Sequence, residues 1–74
     1  MVLYIPTSLE RALELLTYGI PKDTYWEAYR YRVDLNPEYR SVLRVRGAFS
    51  PSKFLKGFWV VREDILPENI ELLG

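Results

Sequence analysis

Arg30, Arg32, Arg44 and Arg46 sit two apart in two short segments, and no other spacing in the chain holds as much chemistry. Guanidinium groups bind phosphate or carboxylate bidentately, so four on one surface suit nucleic acid or another acidic partner. Lys53 and Lys56 extend the basic zone, and Trp26, Tyr31, Tyr39 and Trp59 are candidates to stack on bases or to form a protein interface. The competing reading is a solvated sheet face on which Asp34, Glu38 and the acidic chain ends neutralise the arginines. Two smaller sets also bear chemistry. Ser50, Ser52, Lys53 and Lys56 lie between Gly47 and Gly57, where turn amides and a lysine can hold a phosphate, but their spacing is not that of a Walker A loop. Glu63, Asp64, Glu68 and Glu71 could bind Mg²⁺; flanking a turn, they read as solubilising residues.

The missing residue types exclude more than the present ones suggest. There is no histidine and no cysteine, which removes the usual base near neutral pH, a thiolate nucleophile, soft metal sites and disulfides. No metal and no cofactor is expected, and the reading leans away from an enzyme. Lack of cysteine points to a reducing compartment, hence the cytoplasm. No apolar run approaches the ~20 residues of a spanning helix, so no membrane is expected as a partner. Absent glutamine, two asparagines and 27% charged residues lean toward a heat-adapted source.

The 10 basic and 10 acidic side chains cancel overall but are unevenly placed. Residues 1–29 carry −2, residues 30–56 carry +5 and residues 57–74 carry −3. A neutral total argues against strong non-specific DNA binding, while the basic middle keeps a polyanion in view. At 74 residues the chain is expected to be a single domain, 1–74, with a thin core. Large aromatics must supply much of its burial.

The elements that would position the arginines follow from periodicity. Residues 29–35 alternate Tyr29, Tyr31, Val33 and Leu35 with Arg30, Arg32 and Asp34, and residues 41–47 alternate Leu43 and Val45 with Arg44 and Arg46. The spacing predicts a hairpin across the loop 36–40, apolar on one face and basic on the other. Like charges opposed across such a pair cost roughly 0.2–1 kcal/mol, which favours a ligand as the reason for them. Before the hairpin, residues 2–5 read as a strand. Thr7 and Glu10 then match a capping box for a helix over 7–18, with an apolar stripe of Leu9, Ala12, Leu13 and Leu16 widened by Leu15, and a stop at Gly19-Ile20-Pro21. Residues 23–29 are ambiguous between helix and strand, with strand favoured from about Ala28. Residues 48–57 read as a loop, residues 58–61 as a strand, and Ile70, Leu72 and Leu73 as a closing strand or turn. The expected fold is α+β, a single small domain ordered β-α-β-β-β, with one helix packed on a mostly antiparallel sheet.

The opening Leu3-Tyr4-Ile5-Pro6-Thr7-Ser8-Leu9, followed by a helix ending in Gly19-Ile20, resembles the start of small ADP-ribosyltransferases and of the RNA 2′-phosphotransferase type. Those begin Leu-Tyr-His-Gly-Thr-Ser. The run Asp64-Ile65-Leu66-Pro67-Glu68-Asn69-Ile70 is similar to the ending of some members. Ile5 and Pro6 stand where the family's NAD-contacting His-Gly would be, between the matching Tyr4 and Thr7. The resemblance therefore implies a reduced relative without catalysis.

Three functions stand in order. The first is a small non-enzymatic module that binds nucleic acid or an acidic protein through the arginine hairpin and the two lysines. The second is a protein-interaction module, an inhibitor or small subunit, using exposed aromatics, with homo-oligomers included. The third is the reduced ADP-ribosyltransferase-like relative.

Overall fold

In the computed structural model, which describes residues 1–32 and 41–73, six strands and one α-helix follow the order β1 (Val2–Thr7), α1 (Leu9–Tyr18), β2 (Tyr25–Glu27), β3 (Ser41–Arg46), β4 (Phe49–Pro51), β5 (Phe58–Val61) and β6 (Ile70–Leu72). A 3-10 turn, Pro67–Asn69, precedes β6. The α+β class is the expected one, but the strands divide between two antiparallel three-stranded sheets, β1-β3-β6 and β2-β5-β4.

Pairing of β3 overturns the predicted hairpin. All six residues of β1 pair with β3, from Val2 opposite Arg46 to Thr7 opposite Ser41, and Leu43, Arg44 and Val45 pair with β6 on the other side. Both edges of β3 are thus occupied by β1 and β6, and residues 29–32 do not pair with it; residues 33–35 and the loop 36–40 lie outside the described residues. Burial explains the choice. Leu3 and Ile5 on β1 and Leu43 and Val45 on β3 are all fully buried on one face, a match that half-polar residues 29–32 do not offer. Tyr29 instead makes an isolated bridge to Tyr4, and the strand in this region is Tyr25–Glu27, ahead of the expected start at Ala28.

Helix α1 closes the inner face of the first sheet, packing on β3, β6 and the 3-10 turn. Its buried residues are Ala12 and Leu15, with Leu16 at the margin, while Leu9 and Leu13 are about half exposed at 53% and 52%. Within the expected stripe the buried side is therefore rotated toward Leu15, and the Leu9 and Leu13 edge is left half in water. The second sheet reaches the same core through Phe49 and Val61, with Trp26 and Trp59 packed against it.

The start of α1 also differs by one residue. Thr7 ends β1 opposite Ser41 and is buried, so the cap falls to Ser8, whose Oγ accepts from Arg11 N–H at 3.2 Å. Ser8→Ala should lower stability by about 1 kcal/mol, read as a shift of the urea midpoint. An unchanged midpoint would remove the cap from Ser8.

The helix stops as its sequence says. Gly19 adopts φ 81, its N–H donates to the Leu15 carbonyl at 2.8 Å, and Ile20 exchanges two backbone hydrogen bonds with Ile65. Residues 49–51 form β4 within the stretch 48–57 that the sequence reads as a loop. Ser52 is the residue that organises the turn after it.

Candidate anionic-partner surface

Strand pairing decides where the cations go. Because Leu43 and Val45 point into the core, Arg44 and Arg46 share the outer face of the first sheet. Tyr4 stands opposite Arg44 on β1, and Glu71 stands opposite it on β6. Tyr29 exchanges both backbone hydrogen bonds with Tyr4, at 2.8 and 2.9 Å, which places its side chain on the same face. One row across the face therefore reads Tyr29, Tyr4, Arg44, Glu71, with Arg46 beside it opposite Val2. Strands ~4.8 Å apart put the two tyrosines and Arg44 within about 10 Å.

The face opens toward the Arg46 end: Val42 is fully buried, Arg44 half-buried and Arg46 exposed. Arg44 Nη1 lies 3.7 Å from Glu71 Oε2, and both side chains are largely solvated, so the pair contributes at most about 1 kcal/mol and leaves the guanidinium available. Arg46 makes no ion pair among the described residues. Beside these arginines a depression of about 230 Å³ is completed by Glu68, Asn69, Ile70 and Glu71. Two guanidiniums and an amide there donate, and two carboxylates accept. That balance suits a ligand bearing both phosphate and amino groups.

Tyr29 is held as a neutral donor. Its hydroxyl donates to Glu27 Oε1 at 3.0 Å. That hydrogen bond first, then partial loss of water and the Glu27 charge, push the phenol above its ordinary value of 10.0.

The other predicted residues are dispersed. Arg30 does not join Arg44; its guanidinium carbon lies 5.7 Å from the Trp59 ring centroid, while Arg11 lies 5.5 Å from that of Trp26. Trp26 and Trp59 face each other across β2 and β5, half-buried against the core. Arg32 and Tyr31 are exposed. Tyr39 lies outside the described residues. Lys53 and Lys56 occupy the β4–β5 turn, apart from the β3 pair in sequence and sheet. Four arginines on one hairpin face is thus corrected to two on a sheet face and one over a tryptophan, with Arg32 in the exposed segment after Tyr29.

Sequence reasoning passed over two residues. Tyr4 does not enter the predicted basic surface, because its neighbour Arg44 is forty positions away in sequence. Phe54 is 88% exposed between the two lysines, an aromatic that composition alone does not separate from those that fill the core. The signal that singles it out is local: Lys-Phe-Leu-Lys between Ser52 and Gly57 is too short and polar-flanked to be a core strand.

No family model, no curated protein and no solved structure matches the chain. Of the residues shared with the ADP-ribosyltransferase opening, Tyr4 and Thr7 lie on opposite faces of β1, Thr7 buried and Tyr4 on the outer face. Among the described residues no group of three or more acidic side chains could hold a metal ion, and no helix is long and apolar enough to cross a membrane.

Proposed function

We propose that this chain is a small non-enzymatic module that binds an anionic strand, single-stranded nucleic acid foremost, on the outer face of β1-β3-β6. The observation that carries the reading is the row Tyr29, Tyr4, Arg44 with Arg46 beside it. Flat aromatic rings take bases and guanidiniums take phosphates, the combination used for single strands without strong sequence preference. A sheet face has no helix to enter a major groove, so duplexes should bind less well. Absence of cysteine suits a reducing compartment, and we assign the module to the cytoplasm.

The test is fluorescence anisotropy of labelled single-stranded and duplex DNA and RNA over a salt series. The protein should bind single strands at low salt, with affinity falling steeply as salt rises. Arg44→Glu with Arg46→Glu should weaken that binding at least tenfold and flatten the salt dependence. No binding by folded protein at low salt would sink the proposal. A second reading, a protein-interaction module, draws on Tyr18, Tyr31 and Phe54, each more than 80% exposed. Binding of that kind would respond little to salt.

A further inference from the structure

The β4–β5 turn is built to hold two apolar side chains in water. Ser52 Oγ accepts from the N–H groups of Phe54 and Leu55 at 3.2 and 3.0 Å. Ser52 N–H donates to the Phe58 carbonyl at 2.9 Å, and Phe58 N–H donates to the Leu55 carbonyl at 3.1 Å. Gly57 supplies the positive φ of 85 that closes the turn. Four hydrogen bonds thus fix a loop whose apex, Phe54, is 88% exposed, with Lys53 and Lys56 exposed on either side. Ordering of this loop is complete before any ligand arrives, which lowers the cost of binding.

A chain of backbone pairings links the loop to the basic face. Tyr29, at the end of the row Arg44, Tyr4, Tyr29, reaches Glu27 through its hydroxyl at 3.0 Å, and Glu27 pairs with Phe58, the first residue after the turn. Steps of ~4.8 Å per strand make the path from Arg44 to the base of the turn about 20 Å. A single strand of several nucleotides covers that distance, and sites of this kind span ~4–16 nucleotides. Glu27 lies on the path, and one of its oxygens is engaged by Tyr29.

Resting on the reading of the sheet face given above, we infer that the Lys53-Phe54-Leu55-Lys56 turn is the second half of the same site. In it Phe54 stacks on a base, and Lys53 and Lys56 take the flanking phosphates of a strand that begins at Arg46 and Arg44. The site then selects strands long enough to reach both ends. Neither end alone accounts for an exposed phenyl ring between two lysines on a rigid turn; a strand crossing from one to the other uses all of them.

The experiment compares labelled oligothymidylates of about 4 and about 16 nucleotides, at low salt, against the protein, Phe54→Ala, Phe54→Tyr, and Lys53→Glu with Lys56→Glu. Folding of each variant is confirmed by circular dichroism. Phe54→Ala should weaken the long strand about tenfold and leave the short one unchanged. Phe54→Tyr should restore the long strand, and the lysine reversal should weaken it with a reduced salt dependence. If Phe54→Ala leaves the long strand unchanged while reversal of Arg44 and Arg46 still abolishes binding, the turn is not part of the site and the sheet face stands. If neither oligonucleotide binds the parent protein, both readings fall. A parallel sedimentation with phosphatidylcholine/phosphatidylserine vesicles covers the lipid alternative. Vesicle binding lost in Phe54→Ala, with the long strand unaffected, would assign the turn to a membrane surface and overturn the inference.

Discussion

Gly19→Ala should leave much of the protein unfolded in conditions where the parent is stable. Gly19 holds φ 81 and ψ −169, a combination open almost only to glycine. A Cβ there would be driven into the backbone carbonyl of Ile65, with the Pro67 ring at 3.2 Å closing the other side. Neither neighbour can yield, because Ile20 and Ile65 exchange hydrogen bonds of 2.9 and 2.8 Å and tie the end of α1 to the turn that leads into β6. A misplaced methyl at this knot costs ~3 kcal/mol or more. The whole domain has roughly 4–11 kcal/mol to lose. Gly57→Ala is the matched control, since its φ is also positive at 85 but nothing lies within 4 Å of the added Cβ; it should cost only about 1 kcal/mol. Urea unfolding of the two variants side by side decides the matter. Equal shifts in midpoint would mean that conformation alone, and not the Ile65 carbonyl, governs position 19.

The second large effect belongs to Leu43→Ala. Leu43 is fully buried in the central strand of the first sheet, between Ile5 on β1 and Leu72 on β6. Its truncation leaves a cavity beneath α1 that the paired strands cannot collapse around, and should cost ~2–5 kcal/mol. Leu13→Ala, a change of the same chemistry on the half-exposed side of α1, should cost under about 0.5 kcal/mol. The contrast tests the rotated helix face. Had Leu13 lain in the apolar stripe facing the sheet, the two substitutions would cost alike, and comparable losses in thermal or guanidinium unfolding would reject the packing described.

What could be read from the sequence divides by distance along the chain. The stop at Gly19-Ile20-Pro21 is legible because the glycine, the proline and the Leu15 carbonyl that end the helix lie within a few residues, although the Ile65 backbone that locks Gly19 in place is distant in sequence. The strand at 58–61 was legible as a continuous apolar run, although its position at the centre of a second sheet was not. The helix face went astray because Leu9, Ala12, Leu13, Leu15 and Leu16 cover a broad arc, and which part of it is buried depends on the strands beneath. Pairing of β3 was illegible for a stronger reason. Three segments, near residues 2–7, 29–35 and 70–72, offer β-forming residues, and local alternation ranks them without knowing which bury the larger matched face. The nearest in sequence looked best, yet the partners came from the two ends of the chain. Of the site, Arg44 and Arg46 on one face followed directly from two-residue spacing. Tyr4 beside Arg44 could follow only from the register.

That register has a bearing on how the chain reaches its fold. The central strand cannot be completed until residues 2–7 and 70–72 have both returned to it, and pairings so far apart along the chain form in milliseconds to seconds instead of microseconds. Until both have paired, Val42, Leu43 and Val45 lack the neighbours that cover their edges, and the same segment of another molecule can compete for those places. Arg44 and Arg46 interrupt that apolar run and act as gatekeepers, repelling a like-charged copy until β1 and β6 arrive.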